Sequence, residues 1–319
     1  MRRLPTLVVK VAISATLLYL VLTRVDISII GRRIQQAEVA WLAALVFVLA
    51  AQLVLVALRW RQIGLQCAAP LQVVKALRYL FIASFFNQTL PSTVGGDAAR
   101  IWFVAGTGAG WKAATYSVIV DRIIGLAVLV AVVVVCLPWL LVLVQDPLGR
   151  ASLFLVDGAG VVATVSFLIM GHAHWCWPER WWITRHIAGA AAVAHKVLNN
   201  RHRGCIVVGL SIAIHLLTVA AVWCAARAVA VPLEFGQALL LVPPVVLVAT
   251  IPITIAGWGV REGAMMTVFS YAGLLEADGL IVSVLFGAGL FAVGAAGGAV
   301  WILDAEQRTW AANGDAREL

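Results

Sequence analysis

Long apolar runs separated by short polar stretches organise the whole chain. Runs at 39–58, 117–144, 152–170, 205–226 and 279–303, with a first run ending at Thr23, are each long enough to cross a hydrocarbon layer of ~30 Å as a helix. Leu42 to Leu58 and Val128 to Val144 are apolar on all sides, whereas the strands of a transmembrane barrel alternate polar and apolar positions. Two further regions, 76–105 and 237–275, are long and apolar but are interrupted near the middle by Pro, Gly and charged residues. The pattern predicts an all-α polytopic helical membrane protein with about six full spans and two broken or re-entrant helical regions. It forms one integral membrane domain over 1–319, with pseudo-repeat halves near 1–150 and 151–310 and a short polar tail at 305–319.

Composition narrows the function classes. Of 319 residues, 63% are hydrophobic and 12% charged, about half the usual ~25% charged, which excludes a soluble enzyme. No polar stretch approaches the ~50 residues of a separate catalytic domain. The net charge of +8 comes from basic residues scattered between the apolar runs, which act as topology signals rather than a nucleic-acid surface. The start, Met1-Arg2-Arg3 and an apolar run, has the outline of a signal peptide. Lys10 interrupts it and no cleavage site follows, so it is read as a retained first helix. The five cysteines form no Cys-x-x-Cys pair, so neither a disulfide framework nor a zinc site is indicated.

Orientation follows from Lys and Arg. With a cytoplasmic N-terminus, and with each interrupted region entering and leaving on one side, 14 lie on the cytoplasmic side and 5 outside, as the positive-inside rule requires. Arg24, Arg32 and Arg33 stay outside. Both termini are then cytoplasmic, and the two interrupted regions are inverted with respect to each other.

Their sequences support that relation. The first runs Leu90-Pro91-Ser92-Thr93-Val94-Gly95-Gly96-Asp97 to Arg100; the second runs Pro252-Ile253-Thr254-Ile255-Ala256-Gly257-Trp258-Gly259-Val260-Arg261-Glu262-Gly263. Each has Pro, a hydroxyl, two glycines, an acid and an Arg nine places after the Pro, although the acid shifts its place. Pro removes a helical hydrogen bond and Gly lets the backbone open. Paired breaks in two halves point to a transport site near the midplane.

Candidate substrate-binding residues are Asn87, Ser92, Gly95, Gly96, Asp97, Arg100, Asp121, Arg122, Thr254, Gly257, Gly259, Arg261 and Glu262. A charge at mid-membrane costs ~2.5–3.5 kcal/mol, so the acids and arginines need partners. The expectation is that the motifs meet, Asp97 facing Arg261 and Arg100 facing Glu262; adjacent residues on a helix point ~100° apart, which separates Arg261 from Glu262. The alternative is that these charges only fix helix packing or lie at the interface. Asp121-Arg122 lines the cavity floor or anchors a cytoplasmic helix end, and Arg59-Trp60-Arg61 reads as a headgroup-level anchor. Asn87 is placed to satisfy a freed backbone group or a substrate.

Other features need no special function. His172-Ala-His174-Trp-Cys176 lacks the spacing of a structural metal site and a nearby acid, so no metal or cofactor is expected. Residues 175–203 have the Trp-rich, basic composition of an interfacial helix. Gly294 and Gly298 form a GxxxG, a signal for tight packing or a homo-oligomer contact. No phosphate-binding loop or nucleophile elbow is present, and Asp97 or Glu262 as an intramembrane acid or base would have no nucleophile or metal beside it.

Arg59-Trp60-Arg61, the Asn87 to Arg100 stretch with Gly-Gly-Asp, Asp121-Arg122 with Gly125-Leu126, and Gly-x-Gly-Val-Arg-Glu-Gly at 257–263 together resemble the transmembrane domain of lysylphosphatidylglycerol synthases, over nearly the whole chain. Asp121 stands where Glu is frequent in that family. Stand-alone members are called flippase-like. The resemblance implies a lipid translocase or scramblase-like protein of the bacterial inner membrane, acting on an anionic lipid, a glycolipid or a polyprenyl-linked lipid. The soluble domain that makes the aminoacylated lipid is not among these residues, so synthase activity is not carried over. A different class fits the same residues: a non-transporting membrane subunit that presents lipid to a partner glycosyltransferase or aminoacyltransferase.

Overall fold

The computed structural model describes residues 31, 33, 35–89, 94–172, 182–251 and 258–303, and every regular element among them is a helix. In chain order these are α1 (Val39–Gln66), α2 (Val73–Thr89), α3 (Val94–Val104), a π-helical turn (Ala105–Ala109), α4 (Gly110–Leu143), α5 (Pro147–His172), α6 (Trp182–Asn199), α7 (Arg201–Ala228), α8 (Phe235–Ala249), α9 (Val260–Tyr271) and α10 (Glu276–Leu303). Five stretches are long and apolar enough to span: Val39–Gln66, Gly95–Leu143, Pro147–Gly171, Arg201–Ala228 and Glu276–Leu303. These are the five full spans read from the apolar runs after the first. The run ending at Thr23 and the 305–319 tail lie outside the described residues.

Helix ends gather at two levels. At one, here the α6 end, the Tyr116 hydroxyl near the start of α4 meets His186 Nδ1 on α6 at 3.1 Å, and Gly171 at the end of α5 faces the Ala191 carbonyl. Ala190, Ala191, Ala194 and Val197 are the buried stripe of α6, at helical spacing. At the opposite end the Glu38 N–H, just before α1, donates to the Ala228 carbonyl closing α7 at 2.8 Å. There too Arg33 pairs with Asp278 in the first turn of α10, and Gly149 on α5 packs on Tyr271 at the end of α9.

The two interrupted regions are helical hairpins. The first, α2 and α3, enters from the α6 end and returns to it. Tyr79 stacks on Phe103 at 4.8 Å near its base, and Asn87 bonds the Gly96 backbone near its tip. Gly108 (φ 91°) and Gly110 (φ 79°) supply the left-handed backbone that turns α3 through the π turn into α4, a conformation other residues rarely adopt. The second hairpin, α8 and α9, enters from the opposite end, where Trp223 meets Phe235 at 5.8 Å, and returns there to Tyr271 beside Gly149. The inverted entry read from Lys and Arg placement is therefore present. The tips at 90–93 and 252–257, with Pro91 and Pro252, lie outside the described residues.

Small residues set how closely the first hairpin approaches the last span. A Cβ on Gly297 of α10 would collide with the Phe81 carbonyl of α2, and Gly294 and Gly298 face Ser84 and Phe85. The glycine stripe thus serves packing within the chain, where close approach supplies van der Waals contact that lipid cannot. Large apolar side chains such as Phe47, Val142, Leu155 and Phe291 cover the outside. We expect Gly297→Val to lower stability by about 1–3 kcal/mol or more through overpacking, measured by unfolding in detergent. Gly209→Ala, which meets nothing within 4 Å, should leave stability unchanged or raise it slightly.

Candidate functional site

Local structure explains why charges accumulate at the first hairpin. Gly96 lies in the first turn of α3, where helix N–H groups have no intrahelical acceptor, and its N–H donates to Asn87 Oδ1 at 3.0 Å. A Cβ at Gly96 would strike the Ala83 carbonyl of α2, so the Gly-Gly step lets the hairpin close. Asp97 sits in the same first turn, where the helix dipole favours an anion. One turn on, Arg100 points into the bundle.

There the side chains form a chain of ion pairs. Asp121 of α4 accepts Arg59 Nε on Oδ1 and Arg100 Nη2 on Oδ2, both at 2.9 Å. Arg59 also donates to Ser211 Oγ of α7 at 3.1 Å, and the Arg100 guanidinium lies over the Trp60 ring, 4.1 Å from its centre. Trp60 in turn donates to Ser117 Oγ at 3.2 Å. Asp97 is 3.5 Å from Arg100 Nη1 and receives a fork from Arg122: Nε at 3.0 Å to both oxygens and Nη2 at 2.9 Å to Oδ1. Gly125 leaves room for Arg59, whose Nη1 would lie 2.8 Å from a Cβ there.

Exposure is graded along this chain. The side chains of Asp121 and Arg100 are 1% and 2% exposed, Asp97 18% and Arg122 53%. Three guanidiniums face two carboxylates, leaving one positive charge in excess. Arg100 Nε is buried with no hydrogen-bond partner among the described residues. A donor left unmade in a low-dielectric setting is costly. The arrangement therefore favours an added anion at its open edge.

The second motif builds a closed site. The Arg261 guanidinium donates to Glu262 Oε1 through Nη2 at 2.7 Å and Nε at 3.1 Å, and Ser283 of α10 bonds both residues. Glu262 Oε2 accepts the Gly259 N–H at 2.6 Å; Gly259, at φ 88°, precedes the first residue of α9. Arg261 also lies against the Trp258 and Phe286 rings. Glu262 is fully buried, and the two charges cancel.

Among the described residues, no ion pair joins the two motifs. This corrects the expected pairing of Asp97 with Arg261 and of Arg100 with Glu262. The hairpins enter from opposite ends, so each closes its network within its own half. The ~100° separation of adjacent residues does not keep Arg261 from Glu262, because the long Arg side chain folds back. Asp121 and Arg59, expected at exposed positions, both lie in the buried centre of the first network. Asn87, Gly95, Gly96, Asp97, Arg100, Asp121 and Arg122 come together; Gly259, Arg261 and Glu262 form the other group. Ser92, Thr254, Gly257 and the 173–181 stretch with His174 and Cys176 lie outside the described residues.

A family model described as the lysylphosphatidylglycerol synthase TM region matches residues 7–298. The chain belongs to that family. No curated protein and no solved structure matches it. The match places this lysylphosphatidylglycerol synthase transmembrane-region protein in membrane lipid biology, through a transmembrane region rather than a catalytic domain.

Sequence reading of this family member passed over Ser211, Ser283, His215 and Asp157. Ser211, Ser283 and His215 are single polar residues within apolar runs; His215 Nε2 is 3.0 Å from the Gly125 carbonyl. Asp157 is a lone acid inside the 152–170 run, a signal that sequence alone carries.

Because Asp121 neutralises two buried arginines, Asp121→Asn should lower stability by about 3–5 kcal/mol. Arg122→Gln, at the half-exposed edge, should change it by about 1 kcal/mol or less. Unfolding curves in detergent test both. The double exchange Asp97→Arg with Arg261→Asp should recover nothing that either change loses, read as yield of folded protein; recovery would reinstate the cross-motif pairing.

Proposed function

We propose that this protein moves a phosphate-bearing polar-headgroup lipid across the bacterial inner membrane, as a flippase or scramblase-like translocase. The observation that carries the reading is the excess positive charge of the Arg59, Arg100, Arg122, Asp97 and Asp121 network, open at Arg122 and one hydrogen bond short at Arg100 Nε. A lipid phosphate supplies the anion. Guanidinium forks match phosphate oxygens in bidentate geometry, so Arg122 exchanges Asp97 for the phosphate while Asp121 continues to hold Arg59 and Arg100. The loaded site then lies on α4 at the exposed edge of the network, with the re-entrant α2–α3 hairpin packed beside it. With the positive-inside count orienting the α6 end and both termini to the cytoplasm, loading is from the cytoplasmic leaflet.

The test is flux. Purified protein in liposomes carrying headgroup-labelled anionic or polyprenyl-linked lipid should make the label accessible to an external quencher faster than empty liposomes do. Arg122→Gln should slow that at least about tenfold, equivalent to about 1.4 kcal/mol, without loss of folded protein. No flux with any lipid from folded protein would overturn the reading in favour of a subunit that presents lipid to a partner enzyme.

A further inference from the structure

Away from the ion networks, a cavity of about 280 Å³ lies between α4, α5 and the α8–α9 hairpin. Its wall is apolar, with Val133, Leu140, Val156, Leu241, Val245 and Val268 among the lining side chains. One carboxylic acid is set in it. Asp157 of α5 is 3% exposed, lines the cavity, and its Oδ1 has no hydrogen-bond partner among the described residues. Ten residues into α5, it sits about 15 Å along the helix, near half the ~30 Å hydrocarbon thickness.

The neighbouring polar groups are committed elsewhere. The Ser152 hydroxyl donates to the Gly149 carbonyl at 2.8 Å and the Thr267 hydroxyl to the Gly263 carbonyl at 2.9 Å. Tyr271 lines the cavity toward the opposite end and bonds Asp146. Arg150, four residues after Asp146, caps the end of α4 through the Val144 and Leu141 carbonyls, both at 2.7 Å. On the other packed elements, α8 carries no ionisable residue, and Arg261 and Glu262 of α9 neutralise each other. Helix α4 has Cys136, with Lys112, Tyr116, Asp121 and Arg122 toward the α6 end; α6 has His186, His195 and Lys196 at that end. Among the described residues no cation lines the cavity. A counter-charge for an Asp157 carboxylate has to come from outside, and the cavity leads toward the polar α4–α5 connection with Asp146 and Arg150.

We propose that Asp157 is a proton-binding site, loaded from the opposite end of the bundle through this cavity, whose occupancy sets how the α8–α9 hairpin packs on α4 and α5. The neutral acid fits the apolar wall, and the carboxylate demands water or a cation and so favours a cavity opened by movement of the hairpin. By linkage, whatever opens the hairpin releases the proton, and proton binding closes it. The inference stands on this cavity and does not require the lipid reading.

The experiment uses the purified full chain in lipid nanodiscs. Dicyclohexylcarbodiimide, an apolar reagent, takes the proton of a carboxylic acid onto nitrogen while the carboxylate oxygen bonds its central carbon; the adduct rearranges to a stable N-acylurea with no leaving group. Peptide mass mapping should find the adduct on Asp157, falling about tenfold as pH rises through the titration of the group, with a water-soluble carbodiimide giving no comparable adduct. Amide hydrogen exchange in α8 and α9, corrected for its intrinsic pH dependence, should change over the same range. It should lose that change in Asp157→Asn, keep it in Asp157→Glu, and lose it in the labelled wild-type protein, which needs no variant to fold. No adduct at any pH, an adduct independent of pH, equal labelling by the water-soluble reagent, or hairpin exchange that keeps its pH dependence after Asp157 is blocked would each overturn the proposal.

Discussion

Asp121 ties the first re-entrant hairpin to the spanning helices. Its two oxygens are taken by Arg59 of α1 and Arg100 of α3, and Arg59 extends the link to α7 through Ser211. Three elements meet at one buried carboxylate and a fourth is joined through Arg59, where an unpaired charge costs several kcal/mol. Apolar surface gives helices little reason to associate within lipid, because lipid tails are as apolar as the side chains. Polar satisfaction and close packing have to supply the specificity. The Gly-Gly step that closes the hairpin, the Gly125 notch that admits Arg59 and the Trp60 face under Arg100 all serve this one arrangement.

The second hairpin meets the same constraint differently. Arg261, Glu262, Ser283 and the Gly259 N–H form a neutral set sealed by aromatic rings. The two oppositely entering hairpins are thus alike in outline and unlike in charge: one is closed and balanced, the other keeps an excess guanidinium at an open edge. That asymmetry leaves the uncompensated charge with the first hairpin and none with the second. The Asp157 cavity lies between that neutral hairpin and helices α4 and α5.

Much of the architecture was legible in the chain itself. Apolar runs of spanning length, two Pro-Gly interruptions and the bias of Lys and Arg between loops led to spanning helices and oppositely entering hairpins, because lipid forces every backbone polar group to be satisfied within its own helix and therefore writes helix length into sequence. The Asn87 role was also readable, since the first turn of a helix after a break has free N–H groups. Asp157 was visible as a lone acid and went unnoticed, while Arg59 was read as an interface anchor because it lies just past the end of its apolar run.

Sequence by itself determined the class, the spans, the place of the breaks and the residue types that carry charge. Only the tertiary structure decided which charges meet. Arg59, Arg100 and Arg122 are equivalent by composition, yet their partners depend on how α1, α3 and α4 cross. Arg261 chooses its own neighbour over an acid in the other half because a long flexible guanidinium is satisfied by the nearest desolvated carboxylate. Pairing is a property of distance across helices, and no spacing along one helix encodes it.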